Sequence, residues 1–381
     1  MTKVAHLTTL HSAFDNRIFL RECRSLARAG YEVVLVAPHE GAETVDGVRI
    51  RPVPKSRSRL DRLLRQGRRV YRCAVDEQAD LYHFHDPDLL PWALLLRLRT
   101  GRPVIYDMHE DYVTSLTYKP YFPLWLGRIV GRLYGGLEQA TRAVFKIVIA
   151  ERYYARRFPD AVPVLNYPDQ GVLDELLEQP RDRANGDRIR LLYTGSVSPM
   201  RGALTMAELA GLLPQGGTVS LIGACAPAVR QAMLERCAQP ERLQIEGDGG
   251  QVPYRRIVAA YREPWTAALA LFPDSPHVRE KELTKFFEYM AAGLPIVCSD
   301  FPVWRELVER TGAGICVAPG DARAALAAVM ELARDPERAR AMGEAGRRAV
   351  RARFSWESQA RRLVELYGEL APLAKTSPVA A

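Results

Sequence analysis

Short apolar runs rich in β-branched residues alternate with amphipathic stretches along most of the chain. The runs are apolar at nearly every position, which is typical of parallel strands covered by helices on both faces. The predicted strands of the first half are KVAHLTT, EVVLVAP, VRIRPV, LYHFH, PVIYDMH and KIVIAE. Those of the second half are RIRLLYTGS, TVSLIG, RLQIEG, AALALFP, PIVCSD and GICVAP. The pattern predicts an α/β protein with two doubly wound domains in succession.

The length of 381 residues also favours two domains, because a single core rarely grows that large. Prolines, a glycine and charges interrupt the pattern in the stretch VLNYPDQGVLDELLEQPRDRANGDRIR. We therefore expect an N-terminal domain over 1–168 and a C-terminal domain over 169–354. A last helix at about 355–371 is expected to pack back on the N-terminal domain, and the tail 372–381 is expected to be disordered.

Composition limits the class of protein. Hydrophobic residues make up 48% and charged residues 26%, as in soluble globular proteins. No run of about eighteen apolar residues predicts a spanning helix, and the first residues lack the apolar region of a signal peptide. Six scattered cysteines without a C-x-x-C pair favour buried thiols in a reducing cytosol over disulfides or zinc. A cytoplasmic protein is the expectation.

Basic residues concentrate in one segment. Ten Lys or Arg residues and one Asp lie within 49–72, so the rest of the chain is close to neutral at a net charge of +8 overall. Without a recognition motif or a wider basic face, nucleic-acid binding is not expected. The segment 118–132 also mixes aromatic and basic residues. The segment 49–72 forms either a solvated helical face or a surface that attracts anionic lipid at the inner face of a membrane or a polyanionic acceptor such as a lipid diphosphate. The segment 118–132 either lies at a membrane interface or lines an acceptor pocket.

The stretch HVREKELTKFFEYMAAGLP follows a predicted strand, so it begins where ligands bind in open α/β sheets. A helix is expected to begin near Thr284, as N-cap, and to end at Gly293. The helix start and Lys285 suit a diphosphate, and Glu288 can accept hydrogen bonds from the diol of a ribose. Glu280 lies on the order of 10 Å back along the chain, far enough to reach a sugar beyond the diphosphate.

Two glutamates at this spacing, taken alone, more often belong to a solvated loop and helix. The segment YTGSVSPMRG changes that balance, because it follows the first predicted strand of the second domain. Gly195 permits a tight turn there, and Arg201 can donate to phosphate in a bidentate manner. Together the two segments predict a site for a nucleotide-diphosphate sugar.

At these residues the sequence resembles the retaining GT-B glycosyltransferases of family 4. The similar segments of the second half are YTGSVSPMRG, EGDGGQVPY, HVREKELTKFFEYMAAGLPIVCSDFPVWRELV and DPERARAMGEAGRRAVRARFSWES. Those of the first half are DNRIFLRECRSLARAGYEVVLVAP, HFHDPDLLP and VIYDMHE. The resemblance implies two Rossmann-like domains facing a central cleft. It also implies transfer of a hexosyl group, with retention and without metal or cofactor, from a UDP- or GDP-sugar to a saccharide, glycoconjugate or lipid-linked glycan.

The resemblance also implies roles for single residues. Glu288 would hold the ribose, Glu280 the donor sugar, and the basic pair the phosphates, while His109 would position the sugar or the attacking hydroxyl. The expected catalytic residues are His109, Glu280, Arg201 and Lys285. The expected donor-binding residues are Glu288, Gly195, Ser196, Leu283 and Thr284, where Ser196 replaces an arginine that many relatives carry.

The loop TLHSAFDNR stands where many relatives have a Gly-Gly turn, which indicates a different acceptor-side loop. Asp107 shares a strand face with His109, whereas His85 and Asp86 either line the cleft or cap the helix that starts at Pro87. The acceptor-side candidates are His11, Asp15, Arg17, His85, Asp86 and Asp107. An epimerase, a phosphorylase and a non-catalytic binding subunit are alternatives on the same architecture, although the last would be expected to lose the acidic pair or the phosphate-binding residues.

Overall fold

The computed structural model describes residues 1–109, 124–178, 188–250, 252–276 and 278–373. The chain divides into two compact units: unit 1 is Met1–Asn166 with Trp356–Ala381, and unit 2 is Tyr167–Ser355. The boundary lies two residues before the expected one because the ring of Tyr167 packs against Phe287 and Phe354 of unit 2. From residue 374 onward, the tail expected to be disordered lies outside the described residues.

Unit 1 is built on a sheet of eight strands. They are β1 (Lys3–Leu7), β2 (Glu32–Pro38), β3 (Glu43–Val45), β4 (Val48–Val53), β5 (Leu81–Phe84), β6 (Val104–Met108), β7 (Lys146–Ile149) and β8 (Val162–Pro163). Their order in the sheet is β3-β4-β2-β1-β5-β6-β7-β8. All neighbours are parallel except β3, which runs antiparallel to β4 at the edge.

Helices cover both faces of this sheet. They are α1 (Arg24–Arg28), α2 (Arg59–Asp61), α3 (Gly67–Glu77), α4 (Leu90–Thr100), α5 (Leu124–Thr141) and, at the end of the chain, α14 (Trp356–Leu370). π-Helical turns at Ile18–Cys23 and Arg62–Gln66 lead into α1 and α3. One core contains apolar residues of α3 and α4, with Tyr134 of α5 packed against it. The other core, on the opposite face, contains residues of α1 and α14.

Unit 2 contains a six-stranded parallel sheet with the order β11-β10-β9-β12-β13-β14. Its strands are β9 (Arg190–Thr194), β10 (Thr218–Cys225), β11 (Leu243–Asp248), β12 (Ala267–Ala270), β13 (Ile296–Ser299) and β14 (Gly314–Val317). Its helices are α6 (Gln170–Leu177), α7 (Ala203–Leu212), α8 (Pro227–Arg236), α9 (Tyr254–Ala260), α10 (Thr284–Ala291), α11 (Pro302–Thr311), α12 (Ala322–Arg334) and α13 (Pro336–Arg353). The strand order reverses between β9 and β12, which makes their carboxyl ends the expected place for a ligand.

The predicted α/β class is confirmed, and each of the twelve predicted strands is present. The prediction that Thr284 caps α10 is wrong by one position. Leu283 is the N-cap, in an extended conformation, and no side chain caps the helix start. Within the described part of the chain, no helix has the length and apolar content needed to cross a membrane.

Candidate functional site

Two glycines shape the turn at the carboxyl end of β9. Gly195 has a φ of +100° and Gly202 a φ of +81°, a region that favours glycine. A Cβ on Gly202 would lie 1.8 Å from the carbonyl oxygen of Leu271, so only glycine lets this turn pack on the end of β12. Arg201 ends the 3₁₀ turn between the two glycines and is exposed.

Two cations meet over this turn. A Cβ built on Gly195 would lie 3.4 Å from Lys285 Nζ and 3.9 Å from Arg201 Nη1. The Lys285 amine donates to the Thr194 carbonyl and lies 3.8 Å from the centre of the Tyr193 ring. Burial of the amine, and then the charge of Arg201, lower the pKa of Lys285 well below its ordinary value. A bound anion would relieve both effects, so the turn suits a phosphate group.

Glu288 lies on the next turn of α10 and is almost fully buried. Tyr254 donates to its Oε1 at 2.6 Å, and Tyr261 donates to its Oε2 at 2.6 Å. The Tyr261 hydroxyl also lies 2.9 Å from Thr194 Oγ1, which joins the carboxylate to the end of β9. An ionised carboxylate has about four acceptor positions, so two remain for a diol.

Glu280 is partly exposed and lies in the segment between β12 and α10. Trp304 of α11 holds this segment, because its buried indole nitrogen donates to the Lys281 carbonyl at 2.6 Å. The rings of Phe272, Phe286 and Phe301 surround the indole.

The remaining predicted donor residues take less specific positions. Ser196 is exposed and its carbonyl accepts from Tyr193, while Leu283 and Thr284 are partly exposed at the start of α10. Sequence reasoning missed Tyr254 and Tyr261. Their spacing of seven residues, which places Tyr254 at the first residue of α9 and Tyr261 at its C-cap on one side of the helix, was the available signal.

Unit 1 contains a second polar cluster, centred on Asp107 at the end of β6. Arg17 donates to both of its carboxylate oxygens, at 2.7 and 2.8 Å. His85 Nδ1 and His109 Nδ1 lie 3.0 and 3.3 Å from Asp107 Oδ2. Burial alone would raise the pKa of Asp107, but the Arg17 charge and the histidine hydrogen bonds hold it well below its ordinary value. An ionised carboxylate only accepts, so both histidines carry their proton on Nδ1.

The proton on His85 Nδ1 fixes the direction of the remaining hydrogen bonds in this cluster. His85 Nε2 must accept, so His6 Nδ1 donates to it at 3.0 Å. His6 Nε2 then accepts from the Tyr367 hydroxyl of α14 at 2.9 Å, and His83 Nδ1 donates to that hydroxyl at 2.8 Å. Sequence reasoning missed His6, His83 and Tyr367. Histidines inside apolar strands, at positions paired in register, were a usable signal.

His109 and His11 lie at the accessible side of this cluster. Their Nε2 atoms are 3.1 Å apart, and their side chains are 10% and 21% exposed. His11 Nδ1 lies 3.3 Å from Asp15 Oδ2. Burial alone would raise the pKa of Asp15, but the hydrogen bonds from His11 and from the backbone of Ile18 and Arg17 lower it.

Several acceptor-side expectations need correction. Arg17, His85 and Asp107 are buried and bind one another, so they support the site from below. Asp86 precedes the 3₁₀ turn at Pro87–Leu89 but makes no side-chain cap. It is 1% exposed, and its Oδ2 accepts instead from residues 8–10 of the loop after β1.

Among the residues that the structure describes, two groups of side chains have the donor atoms for a metal ion. They are His6, Glu22, His83 and His85, and His85, Asp107 and His109. The hydrogen bonds above already use most of the histidine nitrogens. Burial, and then the charge of Asp107, raise the pKa of Glu22 well above its ordinary value, which favours a protonated acid over a ligand. Metal independence stays a prediction.

Comparisons with known proteins agree with this architecture. The family model described as Glycosyltransferase Family 4 matches residues 16–158, and the one described as Glycosyl transferases group 1 matches residues 249–349. A phosphatidyl-myo-inositol mannosyltransferase of Mycobacterium leprae is 27% identical over 322 residues, which are 80% of this chain and 77% of that protein.

Solved structures share the fold. Sucrose-phosphate synthase from Thermosynechococcus elongatus has a TM-score of 0.74 at 18% identity, covering 97% of this chain and 99% of that one. Anabaena Alr3699/HepE in complex with UDP has a TM-score of 0.70 at 12% identity, covering 97% and 100%. Two parallel-sheet domains with such neighbours define a GT-B protein. The chain is a group 1 glycosyltransferase.

Proposed function

We propose that this glycosyltransferase moves a hexosyl group from a nucleotide-diphosphate sugar to a hydroxyl of a saccharide, glycoconjugate or lipid-linked glycan, with retention and without a metal ion. The observation that carries the proposal is the meeting of Lys285 and Arg201 at Gly195, joined through Thr194 and Tyr261 to the buried carboxylate of Glu288. This arrangement offers positive charge to a diphosphate and acceptor oxygens to a ribose. The UDP bound to Anabaena HepE supports UDP as the first nucleotide to test.

The chemistry follows from charge. Glycosyl transfer passes through an oxocarbenium-like transition state while negative charge develops on the leaving diphosphate. Lys285 and Arg201 stabilise that charge, Glu280 contacts the donor sugar, and His109 positions the sugar or the attacking hydroxyl. Same-face attack, assisted by the leaving phosphate, would retain the anomeric configuration. Without Glu288 the ribose loses its anchor.

Thermal unfolding with UDP, GDP, ADP and dTDP in the presence of EDTA tests the donor site. Ligand at about a hundred times its dissociation constant stabilises a fold by about 2.7 kcal/mol, a shift of a few degrees. We expect one nucleotide to stabilise the wild type and Glu306→Ala, an exposed control on α11, but not Glu288→Ala. If no nucleotide stabilises the wild type, the non-catalytic alternative replaces this proposal.

A membrane-facing acceptor has its own support. Trp125, Ile129, Leu133 and Leu137 recur at every fourth position of α5 and are all exposed, Leu133 to 71%. Arg128 and Arg132 are exposed beside them. Residues 118–123 of the expected basic-aromatic segment lie outside the described residues.

Other helices that pack on the same face of the sheet as α5 also carry exposed apolar side chains. Leu94, Leu95 and Leu98 are exposed on α4, and Leu60 and Leu64 are exposed before α3, among exposed arginines. Apolar side chains mixed with arginines suit the interface of an anionic bilayer. The mannosyltransferase relative, whose name gives a phosphatidylinositol as substrate, supports a lipid acceptor.

Co-sedimentation with liposomes tests the membrane contact. Anionic liposomes should carry the protein down, because the arginines are attracted to anionic lipid, whereas neutral liposomes should not. The assay needs low salt, because salt screens this attraction beyond a Debye length. Leu133→Asp should weaken binding, and Leu212→Asp on unit 2 should not. Equal binding to neutral liposomes would contradict the electrostatic part.

A further inference from the structure

The sulfur atoms of Cys298 and Cys316 lie 3.7 Å apart in the sheet of unit 2. The two residues are paired in register on β13 and β14, which are parallel neighbours, so both side chains point to the same face of the sheet. Gly314, two residues before Cys316, lets the strands approach closely, because a Cβ there would lie 2.0 Å from the Ile296 carbonyl oxygen. The fold therefore holds two thiols side by side.

This geometry is compatible with a disulfide bond. Both cysteines are free thiols in the structure. Paired strands lie about 4.8 Å apart, and a disulfide joins residues whose Cα atoms are about 4.4–6.8 Å apart. The two sulfurs must approach from 3.7 Å to about 2.05 Å, which rotation of the side chains with a small shift of the strands can supply.

The two thiols differ in access to solvent. Cys316 is partly exposed, whereas Cys298 is fully buried. Burial, and then the hydrogen bond with Cys316, raise the pKa of the Cys298 thiol well above its ordinary value. A thiol reacts as its thiolate and must be reached by the oxidant, so Cys316 should react first and Cys298 second.

We propose that Cys298 and Cys316 form a reversible thiol-oxidation site, at which a low-molecular-weight disulfide oxidises the pair to a bond between β13 and β14. The Cys316 thiolate attacks one sulfur of the oxidant, which forms a mixed disulfide and expels one thiolate. The Cys298 thiol then loses its proton, and its sulfur attacks Cys316 Sγ and expels the second thiolate. Two protein thiols become one disulfide, and their two protons end on the two thiols released from the oxidant. This inference does not depend on the proposed function.

The bond would close a loop that contains the whole of α11. A crosslink that closes a loop removes conformational freedom from the unfolded chain. The oxidised protein should therefore unfold at a temperature a few degrees higher than the reduced protein.

Mass-spectrometric mapping of the folded protein tests the site. Reduced protein, freed of reductant, is incubated with oxidised glutathione, alkylated and digested. In the wild type the peptide of Cys298 should be bonded to that of Cys316, with no glutathione retained, and dithiothreitol should reverse the bond. Cys298→Ser should stop at a mixed disulfide of glutathione with Cys316, because the second thiol is missing. Cys316→Ser should leave Cys298 reduced.

Cys237→Ser is the matched control, because Cys237 is also buried and its thiol donates to a backbone carbonyl, that of Gln239, at 3.2 Å. This variant should form the bond as the wild type does. Thermal unfolding of the wild type before and after oxidation, with Cys316→Ser treated in the same way, measures the effect of the bond on stability.

The site would be overturned by a folded wild type that does not react, by glutathione that stays on Cys316 without the bond, or by a bond between other cysteines. A lower unfolding temperature after oxidation would also contradict it, because the native strands would then not accommodate the bond. The mapping of the wild type decides even where a variant does not fold. Nucleotide-induced stabilisation, measured on the same samples, reports on the donor site separately.

Discussion

Lys285 Nζ lies 3.8 Å from the centre of the Tyr193 ring and donates a hydrogen bond to the carbonyl of the next residue, Thr194. The Tyr193 ring and the Phe272 ring, whose centre is 5.6 Å from Nζ, shield the amine of Lys285 from water. The rest of the Lys285 residue is partly exposed. This shielding, together with Arg201, lowers the pKa of the amine. Anion binding at this turn is therefore expected to be coupled to a proton.

A diphosphate should raise the pKa of Lys285 again, so binding should take up a proton. Affinity then falls as pH rises through the lowered pKa of the free protein, because more of the free amine is neutral. Calorimetric titration with UDP, in two buffers that differ in ionisation enthalpy, measures the proton uptake. Lys285→Arg keeps the charge without titrating and should lose this component. Equal proton uptake by both proteins would contradict the prediction.

The two tyrosines on Glu288 should differ in effect. Tyr261 is buried and bonds both Glu288 and Thr194, whereas Tyr254 is 42% exposed and bonds Glu288. Burial, and then the charge of Glu288, raise the pKa of Tyr261 well above its ordinary value, so it remains a donor. Tyr261→Phe removes the donor to the buried Oε2 of Glu288 and a partner of the Thr194 hydroxyl, and it should weaken nucleotide binding by about 1–3 kcal/mol.

Tyr254→Phe should cost less, about 1 kcal/mol or below, because water can replace an exposed hydroxyl. Dissociation constants for UDP and unfolding midpoints of the two variants give the comparison. A larger loss for Tyr254→Phe would mean that the exposed Tyr254, and not the buried hydrogen bonds of Tyr261, orients the Glu288 carboxylate toward the ribose.

The sheet was readable from sequence because its strands are continuous apolar runs. Two strands were not predicted. β3, Glu43–Val45, is a largely exposed edge strand, and β8 has only two residues. Neither buries enough apolar surface to leave a pattern. The π-helical turn before α1 was also not predicted, because over six residues its amphipathic pattern cannot be distinguished from that of an ordinary helix.

The site was readable in part. Lys285, Arg201 and Gly195 are near one another, as expected from chemistry at the carboxyl ends of β9 and β12. The hydrogen bonds of Asp107 with Arg17 and His85 were not predictable, because they join residues about 20 to 90 positions apart through the sheet. Residue type alone could not tell that Arg17 is buried beneath the site while His11 is accessible.

Trp304 should control contact with the donor sugar. Its indole nitrogen holds the Lys281 carbonyl next to Glu280, and Trp304→Phe removes this hydrogen bond. We expect about a fivefold loss in the affinity for UDP-sugar relative to UDP, since a net hydrogen bond contributes about 1 kcal/mol.

Trp265→Phe is the matched control, because Trp265 is also buried and donates to a backbone carbonyl, that of Ala260, at 2.6 Å. Trp265→Phe should lower the stability of the protein without changing the ratio of its affinities for UDP-sugar and UDP. Competition binding with UDP-glucose and UDP measures the ratio. If Trp304→Phe leaves it unchanged, the segment containing Glu280 does not depend on the indole for its position.

Glu22 should make the stability of unit 1 depend on pH. Both of its carboxylate oxygens are buried without a hydrogen bond among the described residues, although Arg17 Nε lies 3.1 Å from Oε1. The histidine nitrogens His6 Nδ1 and His83 Nδ1 lie 3.9 and 4.0 Å from Oε2, and among the acidic groups Asp107 raises the pKa of Glu22 most. Burial and Asp107 together raise the pKa of Glu22.

The sign follows from proton counting. Between the ordinary pKa of a glutamate and the raised pKa of Glu22, the folded state keeps a proton that the unfolded state has lost. Stability therefore falls as pH rises through this window. Glu22→Gln imitates the protonated acid and removes the dependence. Its free energy of unfolding, relative to the wild type, should increase by up to about 1.4 kcal/mol per pH unit.

Thermal and urea unfolding of both proteins from about pH 5 to about pH 8 measures this difference. Contributions from Asp107 and the histidines are common to both proteins and largely cancel. Glu40→Gln, an exposed glutamate of the same unit, should run parallel to the wild type. If Glu22→Gln also runs parallel, Glu22 is ionised in the folded protein, and the Arg17 guanidinium neutralises two carboxylates instead of one.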